Sequence, residues 1–161
     1  MRKETEMIRC YQPALDELWF RESLLADPDT MSYNNAWGGT IPFPREKWEA
    51  WYQHWIGNPE GKRFYRYLMD EEANAFVGEI AWHLDEKRNI HICDVIILAK
   101  HRNRGFGSEG IRLLCEAAKE SGVPVLYDDI AADNPSWKLF LKNGFEISSR
   151  NENVVMVRKE L

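Results

Sequence analysis

Residues 98–114, LAKHRNRGFGSEGIRLL, hold the densest set of groups able to bind an anion. Gly105, Gly107 and Gly110 satisfy G-x-G-x-x-G, the dinucleotide pattern, and Arg102, Gly105 and Gly107 satisfy the overlapping R-x-x-G-x-G. Both patterns cradle a pyrophosphate by the same physics. Glycine removes the Cβ that would hold the backbone away from phosphate oxygens. A helix beginning at the glycines turns its positive end toward the negative charge. The candidate donors are the backbone N–H groups of Asn103, Arg104, Gly105, Phe106, Gly107 and Ser108, with the Arg102 and Arg104 guanidinium groups adding charge-assisted contacts. Which phosphate-bearing molecule fits depends on the elements that carry the loop.

Those elements emerge from hydrophobic periodicity. A short apolar piece, residues 7–11, precedes a helix opened by Pro13, with Leu15, Leu18, Trp19 and Leu25 on one face. Residues 45–56 repeat the pattern with Trp48, Trp51, Tyr52 and Trp55, an aromatic stripe read as core. Three strand-like runs come next, RFYRYLM, AFVGEIAWHL and IHICDVIILA, the last two joined by the short polar DEKRN of an antiparallel hairpin. Ile111, Leu114, Cys115 and Ala118 mark the helix after the glycines, which ends near Gly122. VPVLYDDIA reads as a strand, NPSWKLFLKNGF as a helix, and NVVMVRKEL as a strand, with one more possible around residues 145–149. The expected fold is therefore α/β (α+β): a single domain over residues 1–161, with a mixed, mostly antiparallel sheet, flanking helices and one central β-α-β crossover.

The dinucleotide reading has Asp128 in its favour, 23 residues beyond Gly105 at a strand end, where a ribose-binding acid belongs. Against it, KHRNR separates the apolar strand from the first glycine, whereas a dinucleotide turn swings directly from strand into helix. Only 56 residues lie beyond Gly105, too few for the rest of such a domain. By contrast, VIILAKHRNRGFGSEG and NPSWKLFLKNGF, in this order, resemble the strand, pyrophosphate loop and later helix of the GCN5-related N-acetyltransferase (GNAT) superfamily. Ala99 stands where many members have proline, Trp137 where a small residue is usual, and Phe140 where many place a tyrosine that protonates the departing thiolate.

The resemblance implies acetyl-CoA as cosubstrate, direct transfer of its acetyl group to a primary amine of a small molecule or peptide, and strands splayed at the cofactor cleft. It implies that the backbone of Ile97 and Ala99 pairs with the pantetheine arm, with an N–H near Ile97 or Leu98 facing the thioester oxygen. Asn134 is expected to contact the cofactor, to cap its helix, or both. Because an alkylammonium has a pKa near ~10, transfer needs a base. His91, eleven residues before Arg102, matches the position of a catalytic glutamate in the histone-modifying branch; Glu79 on the adjacent strand is the rival. Asp94, Asp128 and Asp129 are further carboxylates, and Asp128 is a candidate to attract a cationic acceptor. The acceptor site falls to the long loop of residues 27–44, where Tyr33, Asn34, Asn35 and Trp37 offer flat apolar walls and amides.

Composition narrows the field. A formal charge of -5 argues against nonspecific nucleic-acid binding and suits a cationic acceptor. Three separated cysteines, Cys10, Cys93 and Cys115, lack C-x-x-C spacing, so no metal or disulfide is expected, nor an acyl-enzyme. No apolar run reaches the ~20 residues of a membrane span, and the charged start lacks a signal-peptide core, so a cytoplasmic location without membrane association is expected. The aromatic second helix suggests a possible homodimer interface. Two alternatives stay open: a non-catalytic acetyl-CoA-binding module, motivated by Phe140, and a nicotinamide-nucleotide-dependent oxidoreductase, motivated by the literal G-x-G-x-x-G.

Overall fold

The computed structural model describes residues 8–161; Met7, first in the expected opening strand, and the charged residues before it lie outside the described residues. The strands are β1 (Ile8–Tyr11), β2 (Arg63–Asp70), β3 (Ala75–Asp85), β4 (Ile90–Ile97), β5 (Val125–Ala131), β6 (Glu146–Arg150) and β7 (Val154–Glu160). They form one sheet in the order β1-β2-β3-β4-β5-β7-β6. The helices are α1 (Trp19–Ala26), α2 (Trp48–Trp55), α3 (Phe106–Glu120) and α4 (Ser136–Lys142). Every neighbouring pair is antiparallel except β4 and β5, which α3 connects as a crossover. The mixed sheet agrees with the element order read from the sequence. With a single parallel pair, it leaves no doubly wound half for a dinucleotide fold.

Strand alternation sends side chains to two cores. On one face Ile80, Trp82 and Cys93 pack with Ile111, Leu114, Cys115 and Ala118 of α3 and with Phe140 and Phe145. On the other, Tyr65, Tyr67, Ala81 and Ile96 pack with Leu18, Phe20, Leu24, Met31, Phe43 and Trp48. The α2 stripe joins this second core as expected, Trp48 buried and Trp51, Tyr52 and Trp55 half-buried against it.

One expected face is corrected. The chain after Pro13 first makes a tight 3-10 turn, Leu15–Glu17, and α1 begins only at Trp19. The Glu17 carboxylate pins that turn by accepting the Ala14 N–H at 2.9 Å and the Tyr11 hydroxyl at 2.8 Å. Three residues per turn instead of 3.6 rotates the helix that the turn leads into. Leu15 and Trp19, expected inside, are 41% and 51% exposed, whereas Leu18 and Leu25 are buried as expected and Phe20 and Leu24 complete the face.

The feature that shapes a site is the parting of β4 from β5. Their register covers only His91↔Leu126 and Ile92↔Tyr127; beyond these the strands separate. Leu98 donates its N–H to Val77 on β3 at 2.9 Å, so by alternation the N–H and C=O groups of Val95 and Ile97 face the opening.

Candidate active site

One mouth of the opening is the glycine loop. Asn103 has φ 63° and Gly105 φ 84°, both in the left-handed region, and α3 starts at the next residue, Phe106. Among the described residues, the N–H groups of Asn103, Arg104 and Gly105 have no partner within the protein. Those of Phe106, Gly107 and Ser108 belong to the first helical turn, where no intrahelical acceptor exists. Six consecutive donors at a helix N-terminus make an anion site. Gly110 serves a different purpose: a Cβ there would stand 3.0 Å from Leu68 Cδ1 and 3.4 Å from Val95 Cγ1, so its absence lets α3 lie close on the sheet without displacing these side chains. Phe106 is buried beneath the loop and Arg104 lies over its ring at 4.7 Å, its guanidinium 3.7 Å from the Asp70 carboxylate. Arg102 turns away from the loop. Its Nη2 donates to the Thr30 carbonyl at 2.8 Å and its Nη1 to the Asp29 carbonyl at 3.3 Å.

The other mouth is acidic. Glu79 and Asp94 project from the α1/α2 face of β3 and β4, as their pairing with Ile96 and Ala81 requires. Asp94 is exposed on β4 with protein packed densely around its carboxyl, and that desolvation, then Glu79, pushes its pKa up to about 7 against the opposing pull of Arg21. Asp128, half-buried on β5 with the strand parity of Leu126 and Ile130 and so set on the α3 side of the gap, is raised well above the carboxylate range by burial, then by Asp94 across the gap and by Asp129. The two aspartates repel across the parted strands and hold on to protons at pH values where ordinary carboxylates have lost them. Tyr33 joins them: burial first, then Asp94, Glu79 and Asp128, raises its pKa, so it remains a neutral phenol able to donate a hydrogen bond.

Glu79 is already engaged. Its oxygens, 3% exposed as a residue, accept from Arg21 Nη1 at 2.8 and 2.7 Å. The Arg21 guanidinium lies 4.5 Å from the Trp51 ring centroid, 5.2 Å from Phe43 and 5.3 Å from Tyr65, a cation boxed by aromatic rings. Within this box Arg21 Nε and the Tyr65 hydroxyl have no hydrogen-bond partner among the described residues. The ion pair explains how a carboxylate is tolerated there, and both of its oxygens are occupied.

The remaining expected residues fall in several places. His91 projects to the α3 face, opposite Glu79 and Asp94, where burial lowers its pKa. It lines a separate cavity of ≈ 210 Å³ with Lys62, Arg63, Trp82, Ser121 and Gly122. Leu98 has its N–H on Val77, and Ala99 has its N–H on the Thr30 hydroxyl and its carbonyl on the Arg102 N–H, which leaves Ile97 as the backbone donor facing the opening. Asn134 Oδ1 accepts the Ser136 N–H at 3.0 Å, a cap at the start of α4. Asn34 closes its own loop through Gly39, donating from Nδ2 to the Gly39 carbonyl at 2.8 Å. Asn35 is exposed, and Trp37 is 60% exposed at the end of that loop. Phe140 is buried edge-on against Phe145, 5.0 Å between centroids. Cys93 lies buried beside the opening, its thiol pushed well up by burial, then by Asp128 and Asp94, so it is no thiolate nucleophile.

Sequence reasoning missed Arg21 and passed over Asp94 in favour of His91. The available signal for Asp94 was a single acid in the otherwise apolar alternation Ile92-Asp94-Ile96. Arg21 carried none, since an arginine on a helix is ordinarily solvated.

Comparison with known proteins agrees with this architecture. A family model described as an acetyltransferase (GNAT) domain matches residues 7–146. Spermidine N-acetyltransferase from Vibrio cholerae, solved with CoA and spermine, is 17% identical with TM-score 0.75, over 96% of this chain and 95% of that one. Ribosomal-protein-alanine N-acetyltransferase from Brucella melitensis is 21% identical with TM-score 0.73, over 96% and 99%. The Salmonella typhimurium protein yncA, solved with acetyl-CoA, is 15% identical with TM-score 0.71, over 96% and 94%. No curated relative is similar enough in sequence to be matched. Identities this low carry the fold alone, but the family model spans both the glycine loop and the parted strands, and on that ground the chain belongs to the GNAT acetyltransferase family.

Proposed function

We propose that the protein is an acetyl-CoA-dependent N-acetyltransferase acting on a cationic amine, small molecule or peptide. The observation that carries this reading is the opening between β4 and β5, with a row of free N–H donors at one mouth and Asp94, Asp128 and Glu79 at the other. An anionic coenzyme and a cationic acceptor fit the two oppositely charged sets of groups beside the parted strands.

The residues fit the coenzyme. The loop from Asn103 to Ser108 meets the pyrophosphate with backbone donors, and Arg104 adds charge from the side. A pantetheine arm bound there would run along the free edge of β4, where the N–H of Ile97 faces the opening and would stabilise negative charge developing on the thioester oxygen. Acetyl-CoA supplies the activated acyl group; everything else is the chain's own work. An alkylammonium arriving at the acidic mouth must lose a proton before its nitrogen can attack. Asp94 takes it: a carboxylate titrating near 7 is half ionised at neutral pH, close to the optimum for general base catalysis. Asp128 and Tyr33 hold the acceptor, Tyr33 by its phenol and Asp128 by a carboxyl that the arriving cation's positive charge shifts back toward ionisation. Glu79, tied to Arg21, fixes the field around Asp94 and does not accept the proton itself. Transfer is direct, with no acyl-enzyme, since Cys93 is held as a thiol.

The buried Phe140 favours a second reading, a module that binds acetyl-CoA without turnover, because no phenol stands at that position to protonate the thiolate. Calorimetric titration separates the candidates. Acetyl-CoA and coenzyme A bind, NADH does not, and Gly107→Trp, whose side chain meets Leu139 2.8 Å from its first carbon, abolishes binding. Preference for NADH would end the acetyltransferase reading. Binding without thiol release across an amine panel would favour the module.

A further inference from the structure

The acceptor loop is fastened to the phosphate loop by bonds that no motif announces. Thr30 is fully buried at 0% exposure. Its hydroxyl donates to Asp27 Oδ2 at 2.5 Å and accepts the Ala99 N–H at 2.8 Å. Its carbonyl accepts from Arg102 Nη2 at 2.8 Å, while Arg102 Nη1 reaches the Asp29 carbonyl at 3.3 Å. Thr30 therefore holds both ends of the tight turn of residues 99–102, and the next residue, Asn103, opens the phosphate loop. In the other direction Thr30 begins the 3-10 segment Thr30–Trp37. With three residues per turn, Tyr33 stands directly over Thr30 on the same face of that segment. Tyr33 is the residue whose phenol lies within electrostatic reach of Asp94, Glu79 and Asp128. Met31, 1% exposed between them, anchors the segment in the α1/α2 core.

We propose that Thr30 is a positioning residue that couples the two mouths of the site: coenzyme bound at residues 103–108 fixes the 99–102 turn, and Thr30 passes that order to the acceptor wall at Tyr33. The inference rests on the acetyltransferase reading, since it takes the glycine loop to bind coenzyme A. The chemistry is specific to a hydroxyl. Thr30 is donor to one partner and acceptor from another, so valine of the same shape leaves both the Ala99 N–H and the Asp27 carboxylate without it, whereas serine keeps both bonds. Coupling is reciprocal: coenzyme favours the ordered wall, and an acceptor held by the wall raises coenzyme affinity by the same factor.

Hydrogen–deuterium exchange with and without coenzyme A, beside calorimetry of coenzyme A binding, tests this on wild type, Thr30→Val and Thr30→Ser. Coenzyme A slows exchange of residues 30–37 in wild type and Thr30→Ser by about fivefold or more, an opening-equilibrium effect. Thr30→Val still binds coenzyme A but loses the protection of residues 30–37. Unchanged exchange of this segment in wild type when coenzyme A is bound would overturn the inference, as would equal protection in Thr30→Val. Should Thr30→Val fail to fold, Arg102→Gln breaks the same link from the other side and loses part of the protection; full protection there contradicts the coupling. Wild type that does not bind coenzyme A at all overturns the acetyltransferase reading with it, so the two failures are distinct.

Discussion

The two mouths of the opening are built by opposite means. The phosphate side is six consecutive residues, Asn103 to Ser108, whose working groups are backbone N–H and whose geometry is set by a left-handed glycine and a helix start. The acidic side gathers Arg21 from α1, Tyr33 from the long loop, Glu79 from β3, Asp94 from β4 and Asp128 from β5, and works entirely through side chains. A backbone site tolerates change in its side chains and resists change in its glycines. A side-chain site is redesigned by single substitutions. That asymmetry lets one fold keep its backbone loop while its side-chain site varies.

Breaking the acidic side at its base has the largest expected effect. Asp94→Asn lowers kcat by about 10²–10⁴-fold, the range for a lost general base, while calorimetry finds coenzyme A affinity unchanged. The acid limb of the wild-type rate profile, centred near pH 7, disappears in the variant. Stability moves the other way. The folded-state pKa of Asp94 is raised, so the folded protein binds that proton more tightly than the unfolded chain and loses stability as pH rises toward about 7. Asp94→Asn therefore melts higher than wild type at pH 8 and about the same at pH 4, a comparison open to scanning calorimetry.

Next in size is the aromatic box. Arg21→Met leaves Glu79 buried without its cation, which costs about 3–5 kcal/mol by denaturant unfolding. Arg21→Met with Glu79→Gln recovers most of that loss, because the uncompensated charge is gone. The smallest effect sharpens the comparison by its absence. His91→Gln changes kcat by less than about twofold, as for a residue away from the reacting groups, because His91 opens on the opposite face of the sheet. A kcat loss comparable to that of Asp94→Asn would return the base to His91.

The sequence showed these two sides unequally. The glycine turn with its helix start, the crossover helix and the order of strands were legible because each is encoded locally, by contiguous glycines or by periodicity within one element. The acidic mouth was not. Whether Asp94 or His91 shares a face with Glu79 depends on strand parity and register, here Ala81↔Asp94 against Leu84↔His91. That Asp128 approaches Asp94 depends on where β5 leaves β4. Arg102 shows the limit of a motif: its spacing matched, yet its guanidinium serves two loop carbonyls. The misplaced face of α1 has a similar origin, since one 3-10 turn pinned by Glu17 rotated Leu15 and Trp19 outward.

The most direct measurement is release of coenzyme A thiol from acetyl-CoA against a panel of amines that are cationic, neutral or zwitterionic at about pH 7.5, where an ordinary alkylamine is still protonated. The two-mouthed site predicts turnover with cationic amines, weaker with zwitterions and absent with neutral acceptors of similar shape, and loss of that preference in Asp128→Asn. Turnover equal across the charge classes, or a preference for the zwitterions, would contradict the assignment of the acidic mouth to the acceptor.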